Sequence, residues 1–551
     1  MRMNRRSLIK QLGMAMPAMV LSDKLRAAAA FGMNGTQQPF QASWASLAQY
    51  KTPEWFRDAK FGIWAHWGPQ CQPEHGDWYA REMYMEGNPH YNFHVKKYGH
   101  PSVFGFKDVI HEWKAEQWDP EELLALYKQA GAKYFVALAN HHDNMDLYDS
   151  KYQPVWNSVK MGPKKDLIGG WEKAARKQGL HFGVSVHAAH TWSWMETAQR
   201  SDKTGTYAGV PYDGKLTKAQ GKGKWWEGLD PQDLYAQAHP MSENSWDDRT
   251  IHRQWNWGNG VCTPSAAYCE KFYNRTIDLI DKYDPDLVYF DDTALPLWPV
   301  SDAGLKIAAH FYNRSVKQKG SVQVVINGKI LDEQQRKCMV WDIERGQSNT
   351  TEPLPWQTDT CIGGWHYDRA IYERHGYKSA KTVIQSLVDI VSKNGNLLLS
   401  IPVRGNGSID EDERKIVGEI GRWMKINGEG IYGTRPWKVF GEGPAIEDAA
   451  PLNAQGFNEG KGKAFTAADI RFVTKGDMLY ATVLGWPTDG KVLIKSLAQN
   501  SAHYEGNISK IHLLGYPQEL QFERTEAGTV VIFPEQPKDT TYANILKIVR
   551  M

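Results

Sequence analysis

The sequence contains few cysteines and no excess of charge of either sign. Five cysteines among 551 residues, an odd number with no CxxC pair, give no disulfide framework and no cysteine-based zinc site. The formal net charge is only +2, which offers no strongly basic surface to nucleic acid or to an anionic membrane. The composition therefore gives no reason to expect either of these as a partner.

The N-terminal segment has no apolar run long enough to span a membrane. Its moderately apolar stretch, residues 12–21, is too short for an ordinary transmembrane helix. Residues 4–10 (NRRSLIK) resemble the twin-arginine export consensus, and residues 27–30 are small, as a cleavage site requires. We expect residues 1–30 to be a signal peptide of this type, which implies a periplasmic or secreted bacterial protein. The alternative is a basic amphipathic helix.

Aromatic residues, by contrast, are abundant, with 23 Trp and 25 Tyr. A large aromatic core accounts for many of them, but aromatic faces are also the surfaces on which sugar rings stack. Seven of the tryptophans fall within residues 191–260, a long connection with no clear secondary structure. We interpret this connection as a wall of a binding cleft, with a packed structural excursion as the alternative.

Helical and strand patterns alternate over about 350 residues, which is typical of a (β/α)8-like barrel. Apolar runs that end in polar residues predict seven strands, and the eighth is unclear; the seven lie at residues 60–68, 133–143, 181–190, 286–292, 321–327, 337–344 and 394–402. After residue 430 the pattern changes to short alternating runs separated by turn residues. We therefore predict an α/β barrel domain at residues 31–430 and an antiparallel β-sandwich at residues 431–551.

The chain is organised around residues 286–292 (DLVYFDD), a buried strand that ends in two adjacent carboxylates. A helix predicted at residues 265–283 leads into it and is broken before Pro285. Adjacent strand residues point to opposite faces, so Asp291 and Asp292 cannot both face one site. We select Asp291 as the functional residue, although either carboxylate could instead cap the next helix.

Polar side chains at the carboxyl ends of the predicted strands should converge on one face of the barrel. They are His66, His141, His142, Asp143, His187, His190, Asp291, Glu344 and Asp359. Such a set suits either a metal-assisted hydrolase or a glycosidase with two carboxylates. Adjacent histidines make a poor metal chelate and no HxH or HExxH motif is present, so we expect neither a metal nor a cofactor.

Several motifs occur in an order that belongs to one known family. They are WFRDAKFGIWAHWG at 55–68, DWY at 77–79, NHHD at 140–143, PDLVYFD at 285–291, SKNGNLLLS at 392–400 and WMKINGEGIYGTRPW at 423–437. Together they resemble the family 29 glycoside hydrolases, the α-L-fucosidases, over residues 50–437. The resemblance implies a retaining exo-enzyme for fucosylated glycans, with Asp291 as nucleophile and a second carboxyl about 5 Å away as acid/base.

The resemblance also implies the sugar-binding residues. His66, His141 and His142 would bind sugar hydroxyls, and Trp67 and Trp78 would shape the pocket. An apolar wall discriminates weakly against one extra hydroxyl, so an α-L-galactosidase or a related exo-glycosidase is the alternative. The expected partner in either case is a carbohydrate.

The sequence departs from the family pattern at four places. Gln357 stands where one branch of the family has its acid/base Glu, so we assign that role to Glu344, with Glu352 and Asp359 as alternatives. Glu344 could instead be an ion-pair partner of Arg345 or Lys337. Other pocket assignments are His187 (or His190) in place of a Tyr, Asp77 in place of a Glu, Asp292 in place of a Gly, and Trp365 in the aromatic cluster after Gln357. The lost Glu leaves a non-catalytic sugar-binding relative as a third possibility.

Overall fold

Eight parallel strands form a closed barrel in the computed structural model, which describes residues 39–236, 239–243, 245, 257, 260–447, 449–452, 457–536 and 542–551. The strands follow one another around the barrel in sequence order, and the first closes on the eighth. They are β1 Phe61–Ala65, β2 Tyr134–Asn140, β3 His181–Val186, β4 Leu287–Thr293, β5 Val325–Lys329, β6 Val340–Glu344, β7 Trp356–Cys361 and β8 Gly395–Ser400. The predicted barrel is therefore confirmed. The predicted signal peptide, residues 1–30, lies outside the described residues.

The barrel strands are apolar because helices cover their outer side while other side chains fill the interior. All seven residues of β2 are buried, as are all six of β8. The pairing of β1 with β2 places Gly62 opposite Tyr134. A Cβ atom at Gly62 would lie 2.3 Å from a carbon of the Tyr134 ring, so this close approach requires glycine.

The strand that sequence patterns did not predict is β7, Trp356–Cys361. Its sequence, WQTDTC, has no apolar run, although all six residues are buried. Gln357 and Asp359 alternate with threonines, and their polar groups bond to other polar groups inside the barrel. A buried strand whose interior side chains are polar has no hydrophobic pattern, so the sequence predicted only seven of the eight strands and missed β7.

Helices connect successive strands and lie outside the barrel. In the barrel region they are Trp44–Leu47, Glu54–Ala59, Tyr79–Glu82, Pro89–Tyr98, Phe106–Glu112, Pro120–Gln129, Leu167–Lys177, Thr191–Trp194, Gln232–Tyr235, Ala266–Tyr283, Ala303–Lys319, Arg369–Glu373, Ala380–Ser392 and Glu411–Asn427. The helix Ala266–Tyr283 begins after Ser265, whose side chain accepts a hydrogen bond from the Tyr268 amide. It ends at Asp284, whose φ is 42°, and the chain then enters β4. This is the helix predicted from its apolar spacing.

The C-terminal region contains two antiparallel sheets. One has five strands in the order β13-β16-β11-β10-β9 and the other has three in the order β12-β15-β14. These strands are β9 Arg435–Glu442, β10 Ile470–Lys475, β11 Met478–Val483, β12 Lys491–Ile494, β13 Ile508–Leu513, β14 Phe522–Thr525, β15 Gly528–Ile532 and β16 Asn544–Arg550, with a short helix, Pro444–Glu447, after β9. A separate apolar core fills the region between the sheets. The predicted antiparallel β-structure after the barrel is confirmed.

The C-terminal sheets pack on two barrel helices through polar as well as apolar contacts. The Trp423 indole donates to the Ala543 carbonyl at 2.8 Å, and the Gln385 amide donates to the Leu484 carbonyl at 2.8 Å. Residues 40–551 accordingly form one compact unit. Across the described ranges, every helix is too short or too polar to serve as a membrane span.

Candidate active site

A cavity of about 570 Å³ opens at the carboxyl ends of the barrel strands. It is lined by Trp64, His66, Asp77, Trp78, His141, His187, Asp291, Asp292, Thr293, Lys329, Ile330, Glu344, Arg345, Asp359, Trp365, His366 and Phe457. Its volume lies in the range of small-ligand sites. It brings together most of the residues that the sequence placed at strand ends.

Asp291, near the end of β4, is surrounded by cationic and polar groups. Its Oδ1 lies 2.7 Å from Lys329 Nζ, and its Oδ2 lies 3.1 Å from His187 Nδ1 and 3.3 Å from His142 Nε2. Burial alone would raise the pKa of this carboxyl, but Lys329 and the two histidines hold the pKa well below its usual value. Asp291 is therefore ionised at neutral pH.

Asp292 has a different set of partners, as expected for the next residue of a strand. Its Oδ1 lies 3.0 Å from His190 Nε2 and accepts the Thr293 amide at 2.7 Å. The side chain is 3% exposed. Both residues nevertheless line the cavity, so the expectation that only one of them faces the site was wrong. Asp291 is the one that contacts Lys329 and His187.

Glu344, at the end of β6, is the second carboxyl of the cavity. Its Oε2 lies 2.6 Å from Lys329 Nζ. Burial raises the pKa of Glu344 to about 7, and the negative charges of Asp359 and Asp291 act in the same direction, while Lys329 partly offsets them. Glu344 is therefore poised to hold a proton near neutral pH, whereas Asp291 is not. Its ion-pair partner is Lys329, not the Arg345 or Lys337 that sequence reasoning considered.

Lys329 is the residue that sequence reasoning missed and that joins the two carboxylates. It ends β5, whereas the predicted fifth strand stopped at Asn327. Its Nζ also lies 3.9 Å from Asp359 Oδ2. Burial would lower the pKa of this amine, but the surrounding carboxylates raise it well above its usual value. In the sequence, the position of Lys329 directly after the apolar run VVING was the feature that could have indicated a charged residue at the strand end.

The alternative acid/base candidates occupy other environments. Glu352 lies outside the cavity lining and accepts a hydrogen bond of 2.6 Å from the Ser348 hydroxyl. Asp359 also lines the cavity, but it is only 1% exposed and accepts a 2.8 Å hydrogen bond from the Tyr289 hydroxyl. Gln357 is fully buried in the barrel interior, where it donates to Asp342 at 2.7 Å and accepts from Tyr134 at 2.9 Å. Gln357 thus fills an interior position, and its identity says little about the acid/base.

The histidines present defined hydrogen-bonding atoms. The Gln70 amide donates to His141 Nδ1 at 2.7 Å, which places the proton of neutral His141 on Nε2. His187 donates through Nδ1 to the ionised Asp291, and burial lowers its pKa to about 4, so Nε2 is free to accept. Burial likewise lowers the pKa of His66 and His141. The cavity wall therefore offers both a hydrogen-bond donor, His141 Nε2–H, and a hydrogen-bond acceptor, His187 Nε2.

Of the histidines assigned to the sugar, His142 lies behind the cavity lining. Its Nδ1 donates to the His187 carbonyl at 2.7 Å, and its Nε2 contacts Asp291. His366 was not assigned from the sequence, yet it lines the cavity with its ring 4.6 Å from that of His66. A lone His in a loop after β7 carries no signal of this placement in the sequence.

Of the aromatic and acidic residues that the family resemblance assigned to the pocket, all except Trp67 lie at the cavity. Asp77, Trp78 and Trp365 line it, and Asp77 Oδ1 accepts the His366 amide at 2.6 Å. Trp67 does not line it: its ring packs 5.2 Å from that of Trp113, and its indole donates to the Arg404 carbonyl at 2.9 Å. The cavity tryptophan of β1 is Trp64, because alternate residues share a face and Trp64 lies two before His66.

The described part of the tryptophan-rich connection does not contribute to the cavity lining, although its composition predicted a cavity wall. Among its described tryptophans none lines the cavity, while Trp246 and Trp255 lie outside the described residues. Trp194 instead packs behind the site, with its ring 5.8 Å from that of His141 and 5.5 Å from that of His142. Trp194 therefore supports these two histidines from behind the cavity lining.

Two groups of three histidines could hold a metal ion in the described part of the chain. They are His66, His141 and His366, and His141, His142 and His187, with ring nitrogens within 4.8 Å of one another in each group. Neutral imidazole is a ligand for Zn²⁺ and related ions. The same nitrogens are also suited to sugar hydroxyls, which need both donors and acceptors.

A barrel with two carboxyls of opposite pKa shift at its mouth, beside imidazoles and tryptophans, is the arrangement of a glycoside hydrolase of the (β/α)8 class. The family profile described as "Alpha-L-fucosidase" matches residues 27–429, and that described as "Alpha-L-fucosidase C-terminal domain" matches residues 463–549. The chain belongs to the α-L-fucosidase family.

Individual relatives agree with this assignment. The chain is 26% identical to rat tissue α-L-fucosidase over 514 residues, which is 91% of this chain and 90% of the relative. It is 25% identical to human tissue α-L-fucosidase, covering 93% and 91% of the two chains. The structure of Thermotoga maritima α-fucosidase in complex with fucose has the same fold, with a TM-score of 0.65 at 24% identity over 93% of this chain and 100% of that one.

Proposed function

We propose that the protein is an exo-acting, retaining α-L-fucosidase that releases terminal α-L-fucosyl residues from a glycan, with Asp291 as nucleophile and Glu344 as acid/base. The observation that carries the proposal is the shared contact of both carboxylates with Lys329. Oxygens that lie 2.7 and 2.6 Å from one ammonium are closer together than the roughly 6.5 Å or more that separates the carboxyl groups of inverting enzymes. This short spacing supports a retaining mechanism over an inverting one.

The pKa shifts of the two carboxyls support their different roles. In the first step an Asp291 oxygen attacks the anomeric carbon, the bond to the aglycone breaks, and the leaving oxygen takes the proton of Glu344. In the second step the Glu344 carboxylate removes a proton from water, and the water oxygen displaces Asp291 from the anomeric carbon. Lys329 compensates charge on both residues throughout, because its ammonium contacts each of them.

The sugar-binding part of the proposal rests on the polarity of the cavity wall. His141 Nε2–H can donate to a sugar hydroxyl, and His187 Nε2 can accept from one. The alternative substrate is an α-L-galactoside, which carries a hydroxyl on the C5 substituent. His366 Nδ1 lies 3.5 Å from Asp77 Oδ1, while its Nε2 is buried with no hydrogen-bond partner, so the cavity holds a polar atom that could bind that hydroxyl.

The first test is hydrolysis of the 4-nitrophenyl α-L-fucoside and α-L-galactoside by the wild-type protein. We expect turnover of the fucoside, no loss of activity after EDTA treatment, and the α-anomer of the sugar as first product by NMR. A preference for the galactoside would select the alternative substrate, and the β-anomer would contradict the retaining mechanism. Activity lost to EDTA and restored by Zn²⁺ would point to the histidine groups as a metal site. Binding without hydrolysis of aryl or natural glycosides would indicate a non-catalytic relative.

The pH dependence of kcat/KM should report the protonation of Glu344. The general acid must carry its proton, so kcat/KM on a fucosyl disaccharide should fall as the pH rises through a pKa of about 7. The pKa of Asp291 lies well below its usual value, so no matching loss is expected between about pH 6 and pH 5. α-L-Fucosyl fluoride, whose leaving group needs no proton, is the control and should lack the alkaline fall. The same fall with both substrates would mean that another group titrates.

A further inference from the structure

One wall of the cavity comes from outside the barrel. Residues 457–459 belong to the connection between the helix Pro444–Glu447 and β10, yet Phe457 lines the cavity. The Phe457 amide donates to the Glu344 carbonyl at 2.9 Å, and the Glu459 amide donates to the Arg345 carbonyl at 2.9 Å. This segment therefore lies along the end of β6, beside the residue proposed as acid/base.

Side chains fix the segment in this position. Asn458 accepts the Gln347 amide at 2.9 Å and donates to the Gln347 carbonyl at 3.0 Å. Glu459 pairs with Lys378 at 2.6 Å and accepts a hydrogen bond from Thr360 at 3.0 Å. A Cβ atom at position 346 would lie 2.8 Å from Asn458 Oδ1, so the contact also depends on the glycine there.

Phe457 itself adopts an unfavourable backbone conformation. Its φ is 52°, in the left-handed region that a bulky residue rarely occupies. Such a conformation persists where the surroundings determine it, and it is concentrated at ligand sites. The hydrogen bonds on either side supply that determination and direct a half-buried phenyl ring into the cavity.

The Phe457 ring lies on the side of the cavity where the leaving group of the substrate would bind. In the barrel β6 lies opposite β2, so Glu344 and Phe457 face His141 across the cavity. The proposed acid must touch the oxygen that joins the sugar to the aglycone. The first aglycone residue therefore lies on the Glu344 side, where Phe457 and Ile330 supply apolar surface.

We propose that Phe457 is the stacking platform for the first sugar of the leaving group, so that the C-terminal region contributes a subsite to the barrel. The inference rests on the proposed function, because it uses Glu344 as the acid. The ligand class is a neutral pyranose ring, whose C–H face covers a phenyl ring without needing a charged partner.

The experiment compares Phe457→Ala with the wild type on two substrates that share the fucosyl group. For an α-L-fucosyl disaccharide we expect kcat/KM to fall about tenfold, mainly through KM, since an aromatic contact is lost from both ground and transition states. For α-L-fucosyl fluoride, which has no aglycone ring, kcat/KM should stay unchanged, and so should inhibition by fucose. Phe457→Tyr should restore disaccharide hydrolysis.

Phe465→Ala is the matched control, because Phe465 belongs to the same connection and is half-buried but does not line the cavity. It should leave both substrates unaffected. An equal fall on disaccharide and fluoride for Phe457→Ala would place Phe457 against the fucosyl group, and a fall in kcat on the disaccharide with KM unchanged would place it against the acid. Either result, or no fall on either substrate, would overturn the proposal. Failure of the wild type to hydrolyse the fluoride would instead refute the proposed function.

Discussion

Replacement of Asp291 by alanine is expected to reduce kcat/KM by about 10⁴-fold or more on every fucoside, whatever its leaving group. The substitution removes the atom that attacks the anomeric carbon, and the other carboxylate that β4 places at the cavity, Asp292, is held by different partners. Asp292 is bonded to His190 and to the Thr293 amide. Because Asp291 is required in the first chemical step, good leaving groups should not rescue the variant.

Azide provides a stereochemical test of this role. In Asp291→Ala the space of the carboxylate can admit azide, which would displace the leaving group once and give the β-L-fucosyl azide. Asp281→Ala is the control, because Asp281 is an exposed carboxylate of the helix Ala266–Tyr283 outside the cavity lining, and it should retain the wild-type turnover with no azide dependence. Residual activity of Asp291→Ala within about tenfold of the wild type would remove Asp291 from the nucleophile role.

Replacement of Glu344 by alanine is expected to have an effect that depends on the leaving group. A fucosyl disaccharide, whose leaving oxygen needs a proton, should lose about 10²- to 10⁴-fold in kcat/KM. 4-Nitrophenyl α-L-fucoside should lose much less, and α-L-fucosyl fluoride should lose little. All three substrates are measured with the same variant. A loss of folded protein would lower kcat/KM equally for each of them and could not produce this dependence on the leaving group.

Azide should accelerate turnover of aryl fucosides by Glu344→Ala and give the α-L-fucosyl azide, because two successive inversions retain configuration. Glu352→Ala is the matched control, since Glu352 bonds to Ser348 outside the cavity. It should behave as the wild type on the whole series. Equal losses on all three substrates, or a β-azide product, would show that Glu344 is not the acid/base.

The histidines show where sequence reasoning about the site succeeds and where it ends. His66, His141 and His187 were selected because they follow buried strands, and parallel strands bring their carboxyl ends together. His366 follows β7, a strand whose polar interior residues gave no apolar run. The family resemblance placed Gln357 at the position of an acid/base Glu, although its side chain bonds to Asp342 inside the barrel. Asp359 and Trp365, which were also assigned from the sequence on or just after this strand, do line the cavity.

The sequence by itself determined the barrel, the antiparallel C-terminal region and the position of Asp291 at the end of β4. These follow from hydrophobic periodicity and helix-ending residues, which act within a few residues along the chain. Only the tertiary structure decided that Lys329 joins Asp291 to Glu344, that Trp64 rather than Trp67 faces the cavity, and that Phe457 enters it. Contacts between residues far apart in sequence depend on strand register, side-chain direction and loop path, and no local pattern records them.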